Sequence, residues 1–137
     1  MSGVGATEPR RVLLVDDEPD IREIARLSLE NVGGWQVRTA ASGVEAVEMT
    51  RTERFDAVLL DVMMPDLDGP ATLVRLREEG LIEGVPVIFL TAKVQAADRR
   101  QLDALGAAGT IGKPFDPMRL SAEVARVLAE DAARSAG

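Results

Sequence analysis

Short apolar runs constrain this chain most. Five recur along it, and four of them close on a residue with chemistry at its tip. Arg11–Val15 runs into Asp16 and Asp17, residues 57–60 into Asp61, residues 87–90 into Thr91, and the weaker Gly109–Gly112 into Lys113; the remaining run spans 35–39 and starts at Trp35. Continuous runs of this length, bounded by turn residues, read as strands buried on both faces, as in a parallel sheet. The gaps between them carry helical periodicity. Ile21, Ile24, Ala25, Ser28 and Leu29 recur as one helix face. Asp17, Glu18, Pro19 and Asp20 make a favourable start for that helix, and Gly33 and Gly34 stop it. Further helices are expected over 44–51, over 70–79 with Pro70 in the first turn, over 96–105 before Gly106, and over 117–133 with Leu120, Val124, Val127 and Leu128 on one face. Five strand–helix rounds predict an α/β domain with right-handed crossovers, and the doubly wound parallel order 2-1-3-4-5 is the usual five-stranded solution. The expected division is a loose tail over 1–9, one domain over 10–130 and a short Ala-rich tail over 131–137.

In such sheets ligands gather at the carboxyl ends of the strands. That places Asp16, Asp17, Asp61, Thr91 and Lys113 on one edge. Taken singly, each has a structural reading. The Asp pair can be a solvated turn and cap, and Asp61 a loop cap punctuated by Pro65 and Gly69. Thr91 can be an ordinary β-branched strand residue, and Lys113 a surface lysine. Together they point elsewhere. Carboxylates brought close repel and hold on to protons unless a cation joins them. The chain has no Cys and no His, which excludes disulfides, thiol chemistry and imidazole bases or ligands. An all-oxygen site suits a hard ion, and Mg²⁺ better than Ca²⁺. The chain uses Arg fourteen times and Lys twice, so a lysine opposite the carboxylates reads as a compact point charge. Carboxylates, a hydroxyl and an ammonium are the equipment of phosphoryl transfer, where positioning and charge neutralisation dominate. The net charge of -7 argues against binding a nucleic-acid backbone. No run is long enough to span a bilayer and the first residues lack the apolar stretch of a signal peptide, so the expected location is cytoplasmic with no membrane partner. Trp35 is expected to pack on a loop at a strand start, and Arg99 and Arg100 to lie on a solvated helix face.

Four motifs, in order and at consistent spacing, carry a family resemblance: Val15-Asp16-Asp17-Glu18-Pro19, the segment from Leu59 through Asp61, Met63 and Pro65 to Gly69, Phe89-Leu90-Thr91-Ala92, and Gly112-Lys113-Pro114-Phe115. They resemble the receiver domains of two-component response regulators over about residues 10–130. The resemblance implies a flavodoxin-like fold with Asp61 as phosphoacceptor. Asp17 would be a direct Mg²⁺ ligand, Asp16 one acting mainly through water, and the Met63 backbone carbonyl would complete the protein's share. Thr91 and Lys113 would hold the phosphoryl oxygens, with a cis bond between Lys113 and Pro114. The donor would be a sensor histidine kinase, a histidine phosphotransfer protein or a small acyl phosphate. The chain would catalyse its own phosphorylation and slow dephosphorylation and would not be a metabolic enzyme.

The favoured form is a stand-alone receiver of the chemotaxis-regulator type that acts by binding a protein partner. The alternatives are a module of a longer regulator or hybrid kinase, a binding module of the same fold that is never phosphorylated, and a metal-dependent phosphatase. The last calls for a second Asp two residues after the nucleophile, where Met63 stands. One position departs from the family pattern. Receivers usually carry Tyr or Phe three residues before the lysine, and here Thr110 stands there. A threonine cannot sweep the volume of a ring. The switch is therefore expected to pass from Thr91 through residues 92–95 into the fourth helix, or the domain acts as a phosphate carrier that switches little.

Overall fold

The computed structural model describes residues 10–92 and 95–136. The expected tail over 1–9 lies outside the described residues, as do Lys93 and Val94 within the expected switch segment. Five strands and five helices alternate: β1 Arg11–Val15, α1 Pro19–Asn31, β2 Gln36–Ala40, α2 Gly43–Thr52, β3 Ala57–Asp61, α3 Gly69–Glu78, β4 Val87–Thr91, α4 Ala96–Ala104, β5 Gly109–Gly112 and α5 Leu120–Ala136. All neighbouring strands are parallel, in the order β2-β1-β3-β4-β5. This is the flavodoxin-like doubly wound sheet expected of the sequence.

Two-residue periodicity divides the core. Leu13 and Val15 of β1, Val58 and Leu60 of β3, and Val87 and Phe89 of β4 point into one apolar layer beneath α2, α3 and α4, with Ala46, Val47, Leu73, Leu76 and Leu102. Val12, Leu14, Ala57, Leu59, Ile88 and Leu90 point the other way, against Ala25, Leu29, Leu120, Val124 and Val127 of α1 and α5. The inner strands β1, β3 and β4 are hydrophobic along almost their whole length because both faces are covered, whereas the edge strand β2 leaves Gln36 and Arg38 exposed.

Local signals explain most of the element ends. Ser42 caps α2, accepting from the Glu45 amide at 3.1 Å, and Asp68 caps α3, accepting from the Ala71 amide at 2.9 Å. Gly106 ends the α4 turn at φ 78°, where an L side chain is strained. Some expectations need correcting. Ile24 is 43% exposed, because α1 presents Ala25, Ser28 and Leu29 to the sheet and leaves Ile24 on its flank. Trp35 precedes β2 and is itself core, packed with Leu29 and crossed by the Arg10 guanidinium at 4.4 Å from the ring centre. The last helix begins at Leu120 and not at Pro117. Asp116 ties a preceding turn, its carboxylate accepting from the Met118 amide and its carbonyl from Arg119 and Leu120, all at 2.9 Å. That helix then continues to Ala136, so residues 131–136 are helical and do not form the expected tail. Arg134 holds this end by donating to the Ala108 carbonyl at 2.7 Å. Arg99 and Arg100 are exposed, as expected.

Candidate functional site

The parallel order brings the carboxyl ends of β1, β3 and β4 side by side, with β5 next to β4. Asp16 extends the β1 ladder by one residue, its amide donating to the Ala40 carbonyl at 3.1 Å. Its side chain is fully buried. One carboxylate oxygen accepts from the Glu18 amide at 2.9 Å, and the other faces Lys113 Nζ at 3.1 Å. Asp61 is the last residue of β3 and is 3% exposed. The Met63 amide donates to its Oδ1 at 3.3 Å, and Lys113 Nζ lies 3.4 Å from its Oδ2. Thr91 ends β4 and is buried, and its carbonyl accepts from the Lys113 amide at 2.8 Å, which ties the lysine's backbone to the site. The Lys113–Pro114 bond is cis, as the resemblance implied.

The loop after β3 shapes the site from below. Gly69 opens α3 against the backbone of Asp61. A Cβ there would lie 2.4 Å from the Asp61 carbonyl oxygen and 2.9 Å from Val62 Cα. Only glycine lets the loop approach this closely without moving the end of β3.

Asp16, Glu18 and Asp61 each offer an oxygen within 4.8 Å of the others. The structure thus gathers Asp16, Asp61 and Lys113, as expected, and adds Glu18. The Glu18 carboxylate, largely exposed, reaches Lys113 Nζ at 3.3 Å. As the third acid in a row beside a helix start, it reads in the sequence as part of that helix's first turn, and only its contact with Lys113 reveals it. Asp17 is half-buried and is not one of the three that cluster. Met63 presents an exposed side chain at the mouth, where it lines a cleft of about 280 Å³ with Ile21, Ala92 and Pro114 above Asp61 and Lys113.

Burial, and then the neighbouring Asp16 charge, push the Asp61 carboxyl up from 3.8 to about 6, against the opposing pull of Lys113. Burial pushes the Lys113 ammonium down, but its carboxylate partners outweigh that and hold its pKa above the ordinary lysine value. Three carboxylates around one ammonium leave a double negative charge when all are ionised.

A family model for the response regulator receiver domain matches residues 12–125. The chain belongs to that family. This receiver is 41% identical over 128 residues to the response regulator Rre1 of Synechocystis sp., covering 93% of this chain and 55% of Rre1. The chain spans about half the length of the curated relatives it matches. Among solved structures, the chemotaxis response regulator CheY4 of Vibrio cholerae is 32% identical, with a TM-score of 0.82, over 88% of this receiver and 99% of that chain. The response regulator TrrA of Thermotoga maritima, in complex with Mg²⁺ and beryllofluoride, is 30% identical, with a TM-score of 0.73, over 86% of this receiver and 98% of that chain. Among the described residues of this receiver, no helix is long and apolar enough to cross a membrane.

Proposed function

We propose that this receiver accepts a phosphoryl group on the Asp61 carboxylate from the phosphohistidine of a sensor histidine kinase or a histidine phosphotransfer protein. The observation that carries the reading is a buried carboxylate at a strand end, beside a second buried carboxylate, facing an ammonium and open to a cleft. The donor set fits Mg²⁺. It is all oxygen, it lacks His and Cys, and its uncompensated double charge matches a divalent ion. Asp16 and Asp61 would hold the ion, with Asp17 from the same turn and the Met63 carbonyl, as the family resemblance implies. Bound there, Mg²⁺ would offset the negative charge that the nucleophile and the phosphoryl oxygens bring together.

The chain's own groups do the rest. Asp61 attacks phosphorus while the imidazole nitrogen leaves. Lys113, already among the carboxylates, turns its ammonium to a phosphoryl oxygen, and the Thr91 hydroxyl donates to another. Hydrolysis of the aspartyl phosphate later returns the resting state. Thr110, half-buried on β5, stands where the family carries a ring, so the readout runs through residues 92–95 and α4. The acidic balance supports a protein as the partner of this domain rather than nucleic acid. The match takes in nearly all of the CheY4 chain and about half of Rre1.

The test is labelling by acetyl phosphate, read by intact mass. Labelling is expected with Mg²⁺, and is expected to vanish with a chelator and in Asp61→Ala. Labelling that persists in the variant would place the acceptor elsewhere.

A further inference from the structure

We propose that Arg22 is the positioning residue for the carboxylate end of the site, a role that rests on the Mg²⁺-dependent reading above. Arg22 sits early in α1 and is half-buried. Its backbone amide donates to the Glu18 carbonyl at 2.9 Å. Its guanidinium turns back along the helix, and Nη1 donates to the Asp16 carbonyl at 2.7 Å. One residue therefore holds both ends of the three-residue turn from Asp16 to Glu18. Inside that turn the Glu18 amide donates to Asp16 Oδ1 at 2.9 Å, which leaves Asp16 Oδ2 directed at Lys113. The direction of the Asp16 carboxylate is thus set by a turn whose shape depends on Arg22. Glu18 has no side-chain hydrogen bond that caps the helix, so the guanidinium adds a second fixing point beside the bond from the Glu18 amide to Asp16 Oδ1.

Charge and geometry make opposite claims on this residue. A cation close to a divalent-ion site repels the ion, so if Arg22 were only a surface charge its removal would tighten Mg²⁺ binding. If Arg22 positions Asp16, its removal loosens the turn and weakens binding, and loss of a group that orients a metal ligand typically costs about tenfold or more in affinity. The sign of the change separates the two.

The experiment measures the Mg²⁺ dissociation constant by calorimetry at physiological salt for the unaltered chain, Arg22→Met and Arg22→Lys. Methionine keeps an unbranched stem and removes the donor, whereas lysine keeps a charge and a donor. Arg22→Met is expected to weaken Mg²⁺ about tenfold and to raise the Mg²⁺ concentration for half-maximal labelling by the same factor. Arg22→Lys is expected to recover a substantial part of the loss. A second readout needs no metal: the Glu18 amide should exchange with solvent faster in Arg22→Met, while strand amides keep their protection. Should Arg22→Met fail to fold, the same exchange and binding measurements on Arg22→Gln, whose amide is too short to span the turn, decide the matter. Unchanged or tighter Mg²⁺ binding in a folded variant overturns the positioning role. If the unaltered chain binds no Mg²⁺, the functional reading itself fails, and this inference with it.

Discussion

Replacing the buried nucleophile by its neutral isostere should stabilise the metal-free domain. Asp61 is 3% exposed, lies beside the fully buried Asp16, and its carboxyl is raised from 3.8 to about 6. Its ionised form therefore costs the folded state about 3 kcal/mol relative to the unfolded chain. Because the folded pKa is the higher one, the stability is fully present below the unfolded value and is lost as pH rises through about 6. Between about pH 5 and about pH 7.5 this one group should remove about 1.4 kcal/mol. Other carboxylates titrate nearby, so the quantity to follow is the difference from Asp61→Asn. The amide keeps the shape, and Lys113 keeps Asp16 at 3.1 Å and Glu18 at 3.3 Å. In urea denaturation with a chelator, Asp61→Asn should be about 3 kcal/mol more stable near pH 7.5 and only about 1.6 kcal/mol more stable near pH 5. Millimolar Mg²⁺ should narrow the gap at the higher pH by stabilising only the unaltered chain. A difference that does not change with pH, or a less stable variant near pH 7.5, would refute the account of Asp61 as a strained buried charge.

Two further substitutions test the frame around it. Gly69→Ala places a Cβ 2.4 Å from the Asp61 carbonyl oxygen, so the loop or the end of β3 must shift. It should cost about 1–3 kcal/mol in denaturant melts and slow acetyl-phosphate labelling, whereas labelling at the unaltered rate would show that the loop yields freely. Leu102 is the only buried residue of α4, and Leu102→Ala should cost about 2–3 kcal/mol. The loss should appear in hydrogen exchange as opening of α4 ahead of the strands; uniform loss of protection would contradict a weakly moored helix.

The inner strands β1, β3 and β4 are legible because both of their faces are buried, which removes the ambiguity of half-buried patterns, while the edge strands β2 and β5 carry a weaker signal. Leu13 and Leu14 face opposite layers, yet each is wholly enclosed. The helices were harder. Ile24 belongs to the periodic set of α1, but the helix lies on a narrow stripe of Ala25, Ser28 and Leu29, and periodicity alone does not say which edge of a wide stripe meets the sheet. The start of α5 is not legible because Pro117 is as good a residue for a turn as for a helix start, and the Asp116 carboxylate decides for the turn. At the site, Asp16, Asp61, Thr91 and Lys113 were readable as strand ends, since strand order alone brings them to one edge. Glu18 and Arg22 were not. Their parts depend on side chains that bend back toward β1, and neither residue type nor spacing announces such a reach.

The separation of the core into two layers has a consequence for how this domain can change. Layer membership alternates along each strand, so the buried residues under α1 and α5 and those under α2, α3 and α4 form separate clusters joined by the backbone of the sheet. Side chains on one side can be exchanged without a steric answer from the other, as long as the strands themselves do not move. The sheet insulates two compartments whose sequences are free to drift independently, while the ends of its strands, where Asp16, Asp61 and Thr91 stand, belong to both.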